Sequence, residues 1–200
     1  VAQLFEVARL LKKHSPQNAY TVVLAFFNSE EWGLWGSRRY VEAHRDDPIR
    51  VMINVDMVGD ITGVNAMGFD ELVPVLDSFS ANLGALKFSR KLANQTWLGS
   101  DHHPFILEGF PAITFYAPIP ADDVRYYHDV ADTFDKVDPA LLAKSSAITA
   151  LLVHHLANDT ASDLRRYSRE ETANLFRKAG LEKRMVDAGQ WPFADIPSKP

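Results

Sequence analysis

Cysteine is absent from the 200 residues, which excludes disulfide scaffolds, thiolate metal sites and cysteine nucleophiles. That absence does not choose between cytoplasm and periplasm. Glycine and proline, 10 and 11 residues, stand at ordinary levels, so collagen-like and low-complexity classes are excluded. There is no basic excess: 21 Lys and Arg stand against 26 Asp and Glu, a net charge of −5. That sign argues against a nucleic-acid footprint or a polybasic membrane surface. No uninterrupted apolar run reaches the roughly 18 residues that a membrane span needs. No signal peptide is visible, but the chain opens at Val1 in mid-pattern rather than at Met, so a targeting segment upstream stays open. What is present is 46% apolar and 11% aromatic residues, enough for the core of one ordinary domain, with or without a short appendage.

Periodicity predicts alternating helices and strands. Residues 1–13 read as an amphipathic helix, with Val1, Leu4, Phe5, Ala8 and Leu11 on one stripe. Residues 20–27 (YTVVLAFF) form a continuous β-branched and aromatic run, the pattern of a strand buried on both faces. A helix is expected over 34–43, a second buried strand over 50–57 (RVMINVDM), a helix over 71–83, a third strand over 111–116 and a long apolar helix over 139–157. This order implies an α/β fold with a mostly parallel sheet flanked by helices. From Asn158 the texture changes. Residues 162–187 are highly charged with sparse apolar anchors, which predicts one or two surface helices rather than core. Trp191-Pro192-Phe193 and the final IPSKP read as a strapped-down or frayed tail. The chain therefore divides into residues 1–158 and a charged helical tail, 159–200.

In open α/β sheets functional groups gather beyond the C-terminal ends of strands. The 20–27 run leads into Asn28-Ser29-Glu30-Glu31, and the 50–57 run carries Asp56 near its end. Ser100-Asp101-His102-His103 precede the third strand, and Tyr126-Tyr127-His128 follow it. Without thiolates, Glu, Asp and His are the ligand set for zinc or a similar divalent ion. Each residue also has an ordinary reading. Glu30 and Glu31 suit a solvated turn, His128 a surface position, and Asp101 an N-cap for a helix starting at Pro104 and Phe105. Asp56 in an apolar strand pays desolvation unless it is paired, metal-bound or capping a turn.

In sequence order, these pieces resemble a known family. Residues 27–37, Phe-Asn-Ser-Glu-Glu-Trp-Gly-Leu-Trp-Gly-Ser, are similar to the GEE-x-GL-x-GS segment of the M28 zinc aminopeptidases. Residues 53–59 resemble its N-x-D-M-x-G strand. Residues 100–112 resemble its SDH-x-PF…G-x-PA segment, and Tyr127-His128-Asp129 with Asp132-Thr133 and 135–138 its last block. The resemblance runs from Val1 to about Asn158. It implies that Glu30 is the general base and acid for the attacking water, that Glu31 and His128 ligate one zinc, and that Asp56 ligates a second. It further implies a hydrogen bond from Tyr127 to the developing oxyanion, and places Asp101 and His102 behind the ligands or on the substrate side.

The same resemblance calls for a further His and an Asp bridging two zinc ions, from segments preceding a helix like 1–13, and this sequence holds neither. The expectation is a C-terminal portion of a peptidase domain with poor zinc affinity and little activity by itself. It is also expected to expose a sheet face that favours aggregation or a tight partner. Peptide is the implied substrate, with no nucleic acid and no membrane span. Trp32, Trp35, Phe105, Phe110 and Tyr116 suggest hydrophobic N-terminal residues, though they also suit a core. A carboxypeptidase acting on acidic dipeptides needs arginines near the metals, and Arg125 alone is close in sequence to a ligand. A glutaminyl-cyclase-like zinc acyltransferase shares the DH-x-PF block, but Tyr127 stands where such relatives often have Trp. A non-catalytic binding module of the same fold is the third reading, opposed by the retention of Glu30. At the family level, the resemblance implies a secreted or periplasmic location.

Overall fold

The computed structural model describes residues 1–56 and 59–197. Met57 of the expected second strand, Val58 of the motif around it and the last three residues of the tail lie outside the described residues. The elements run α1 (Ala2–His14), α2 (Trp35–Ala43), β1 (Met52–Ile53), β2 (Gly63–Asn65), α3 (Leu72–Ala81), α4 (His102–Leu107), β3 (Ala112–Tyr116), α5 (Pro139–Asn158), α6 (Arg169–Lys178) and α7 (Glu182–Asp187). This is an α/β architecture. Its sheet has the order β1-β3-β2, with β1 parallel to β3 (Met52 opposite Ala112) and β2 antiparallel (Gly63 opposite Tyr116). The antiparallel edge is an addition to the expected parallel set. Three residues, Gly-Val-Asn, are too short to show a period.

The helices form for readable reasons. Asp138 caps α5 by accepting from Ala140 N at 2.7 Å and Leu141 N at 3.2 Å, and Pro139 occupies the first turn, where its missing N–H is no loss. At 20 residues and a mean hydropathy of 1.3, α5 is long and apolar enough to cross a membrane, which corrects the reading that no run qualifies. It is instead a core helix here. Ile148 and Leu152 are fully buried in the main cluster, and Thr149 receives Gln3 Nε2 at 3.0 Å from α1. The buried stripe of α1 is Gln3, Val7 and Leu11, rotated from the expected one, and Val1 and Phe5 are exposed.

Two expectations fail on packing. The 20–27 run is extended but joins no ladder. Tyr20 N donates to Ala157 O at 3.0 Å, while Val23 and Phe26 stay exposed, at 66% and 47%. Val22 packs toward Val7 and Leu11 and Phe27 toward Phe105 and Phe110, and with Leu24 and Ala25 they are only partly covered. The tail, in turn, is not a mere surface appendage. Leu164, Ala173, Leu175, Phe176, Met185 and Phe193 are buried in the same cluster as Val64, Leu76, Ile113 and Leu152. Sparse anchors suffice, because each is large and all face one way. Gly109 makes the junction possible: it has φ 80°, its N–H donates to Ile106 O at 2.8 Å and its carbonyl accepts from Tyr167 N of the tail at 2.8 Å. A side chain there would collide with the Tyr167 carbonyl.

Candidate metal centre

The turn after the 20–27 run is shaped by backbone rather than by side-chain bonds. Gly33 N and Leu34 N both donate to Glu30 O, at 3.0 and 2.9 Å, and Gly36 N donates to Asn28 O at 2.9 Å. A Cβ on Gly36 would sit 2.6 Å from both backbone N and O of Asn28. Only glycine lets the start of α2 close onto the segment that presents Glu30 and Glu31. Ser29, Leu34 and His128 have φ near +60°, three of the four non-glycine residues in that region among the described residues. Left-handed backbone costs such residues of order 1–3 kcal/mol each, and here it concentrates around one cleft.

That cleft has a volume of about 800 Å³, and Glu30, Glu31, Asp56, Tyr127 and His128 all line it. His128 Nδ1 lies 2.8 Å from Glu31 Oε2. Both side chains are partly exposed, so the contact is a loose one by itself. Asp56 is exposed beyond the end of β1 and accepts from Ser100 Oγ at 2.7 Å. The expected desolvation of Asp56 inside a strand is thus corrected, since β1 ends at Ile53. Burial first, and then the neighbouring Glu31, Asp56 and Asp101 carboxylates, push the Glu30 carboxyl above the usual range. The Tyr127 ring packs edge-on against His128, centroids 3.9 Å apart. Burial and the Asp56, Glu31 and Glu30 charges raise its phenol, which keeps the O–H available as a donor.

Asp101 and His102 lie behind this surface. Asn54 Nδ2 donates to Ser100 Oγ at 2.8 Å and lies 3.3 Å from His102 Nδ1, so a chain runs from His102 through Asn54 and Ser100 to Asp56. His102 Nε2 lies 3.1 Å from the Trp97 carbonyl, and its ring is fully buried. Burial pulls its imidazole down to about 4, so it is neutral at pH 7. Asp101 precedes α4 without a side-chain capping bond, contrary to the N-cap reading, and α4 begins at His102 rather than at Pro104. Burial raises its carboxyl, and one buried oxygen, Oδ1, has no hydrogen-bond partner among the described residues.

The donors are carboxylates and an imidazole, suited in kind to zinc. Glu31 and His128 are already paired, but among the described residues no group of three His, Asp or Glu is arranged to hold a metal ion. Two histidines away from the cleft are engaged elsewhere. His44 pairs with Asp47 at 2.7 Å and stacks on Tyr40, and His154 lies 2.8 Å from Ser15 Oγ. Phe105 and Phe110 are core, whereas Trp32 is 81% exposed. Arg125 rests over its neighbour Tyr126. Sequence reading missed Arg38 and Arg184, which line the cleft from α2 and α7. Nothing in their local pattern sets them apart from other surface arginines.

Sheet and cleft together are those of an α/β fold that gathers carboxylate and imidazole groups beyond the end of β1. Comparison with solved structures agrees on the fold. A Peptidase M28 precursor from Shewanella amazonensis superposes with a TM-score of 0.72 at 23% identity, over 84% of this chain and 38% of that one. The zinc aminopeptidase BSAP of Bacillus subtilis gives a TM-score of 0.62 at 23% identity, over 83% and 43%. The chain also matches Peptidase family M28 over residues 1–153. It belongs to that family. A curated relative, a probable leucine aminopeptidase of Arthroderma benhamiae, is 28% identical over 145 residues, 70% of this chain and 40% of the relative. A second, from Trichophyton verrucosum, carries the same description with the same identity and coverage. The chain thus spans about two fifths of the length of the curated relatives it matches.

Proposed function

We propose that this chain carries part of the active site of a zinc-dependent aminopeptidase that releases N-terminal residues from peptides. The observation that supports it most is the Glu31–His128 contact at 2.8 Å on the cleft that Glu30, Asp56 and Tyr127 also line. Glu31 and His128 would hold one zinc ion and Asp56 a second, with further ligands to complete the pair. Zinc held by these residues would supply a Lewis acid that lowers the pKa of water. Glu30, whose carboxyl is held above its usual range, would take the proton of the attacking water and return it to the leaving amine. Tyr127, kept protonated, donates to the carbonyl oxygen as negative charge develops there. The hydrogen-bonded run from His102 to Asp56 holds that carboxylate in place. We assign residues 1–158 to the peptidase domain, with 159–200 as a charged helical addition that packs onto it. Hydrophobic N-terminal residues fit the relatives' description as leucine aminopeptidases, and export fits the description of one as a precursor.

Native mass spectrometry with added zinc tests the reading. The expected result is one loosely held ion, lost in His128→Ala, with zinc-dependent hydrolysis of leucine p-nitroanilide lost alongside. Zinc uptake unchanged in His128→Ala overturns the assignment of the ligands.

A further inference from the structure

Arg184 lies beyond the residues that match the family, on α7, yet it lines the cleft with Glu30 and Glu31. Its neighbour Met185 is fully buried in the main cluster, so the backbone is anchored while the guanidinium stays exposed. Other arginines of the tail are paired: Arg165 with Glu171 at 2.5 Å, Arg169 with Asp195 at 2.9 Å and Arg177 with Glu182 at 3.1 Å. Among the described residues neither Arg184 nor Arg38, the other arginine of the cleft, has an ion-pair partner. Glu30, Glu31, Asp56, Asp129 and Asp132 line the same cavity. A cleft so lined attracts a free ammonium group and repels a carboxylate, and two unpaired arginines reverse that sign locally. The guanidinium fork matches a carboxylate in two parallel hydrogen bonds. The cleft of about 800 Å³ lies within the usual range for small ligands.

We propose that Arg184, seconded by Arg38, binds the C-terminal carboxylate of a short peptide, which makes free di- and tripeptides the substrate class. Recognition of the far end of the substrate then comes from the tail and not from the segment that matches the family. The direction of the bound peptide and its hydrolysis rest on the aminopeptidase reading; the carboxylate binding does not.

The test is a titration of the ¹⁵N-labelled chain, without metal, with leucylglycine and with leucylglycinamide, followed at the arginine Nε–H signals. The signal lost in Arg184→Met identifies Arg184. It is expected to shift with leucylglycine, and leucylglycinamide should bind at least about tenfold more weakly, the range of a charge-assisted pair. Arg184→Met should remove that difference, and Arg184→Lys should retain part of it. Equal binding of the two peptides, or a difference that persists in Arg184→Met, overturns the proposal. The zinc measurement separates the two claims. Discrimination between the peptides with zinc uptake unchanged in His128→Ala sinks the aminopeptidase reading alone, and zinc uptake lost in His128→Ala without discrimination sinks this proposal alone.

Discussion

His102 and His103 sit side by side at the start of α4, both buried, and burial lowers each imidazole to about 4. For His103 the like charges of His102 and Arg38 add to the effect, and its buried Nε2 has no hydrogen-bond partner among the described residues. An unfolded chain protonates these rings near the ordinary 6.5, so their contribution to stability is intact above pH 6.5 and is lost as pH falls through about 4. Each is worth on the order of 3 kcal/mol at the acid limit. Glu30 and Asp101, with raised carboxyls, work in the opposite sense, their contribution fading as pH rises. His103→Leu should therefore lose less stability than the parent between pH 6.5 and pH 4.5, measured by urea unfolding at both values; equal losses would refute this. The ligand candidates Glu31, Asp56 and His128 were legible because four motifs stand in a fixed order. The arginines were not, since a charged residue on a charged helix carries no local mark of the cavity it faces.

Among the elements, α6 owes its start to a reciprocal pair. Glu171 N donates to Ser168 Oγ at 3.2 Å and Ser168 N to Glu171 Oε2 at 2.8 Å, while Arg165 clamps the same carboxylate. Ser168→Ala should cost about 1 kcal/mol, a fall of roughly 2–4 °C in melting temperature for a chain of this size. An unchanged melt would mean that packing of Phe176 alone fixes the helix. Helices α1, α2, α3 and α5 were readable to within a few residues, because long periodic segments advertise themselves. Strands were read less well. The 20–27 run has a strand's composition, but composition does not supply a neighbouring edge, and Val23 and Phe26 stay exposed. β2 is the opposite case: it has an edge, offered by β3 and continued by the Asn65–Ala93 bridge, with almost no composition to announce it.

At the scale of the whole molecule, the charged tail and the apolar body are one hydrophobic unit. Phe176, Met185 and Phe193 are fully buried against residues of α3, β3 and α5. Arg50 ties the two across the seam, donating to Leu156 O at 3.2 Å and Ser162 O at 2.8 Å while it covers the Tyr20 ring. A chain ending at Asn158 should bind 8-anilinonaphthalene-1-sulfonate and lose its cooperative melt, because removing several large anchors opens cavities that each cost a few kcal/mol. A cooperative melt near that of the intact chain would show the tail to be dispensable. The net charge of residues 162–187 concealed this role, since mean polarity says nothing about where a few large side chains point. The consequence is one of timing during synthesis. When synthesis has reached the end of α5, the residues that Phe176, Met185 and Phe193 cover in the finished fold are still without that cover.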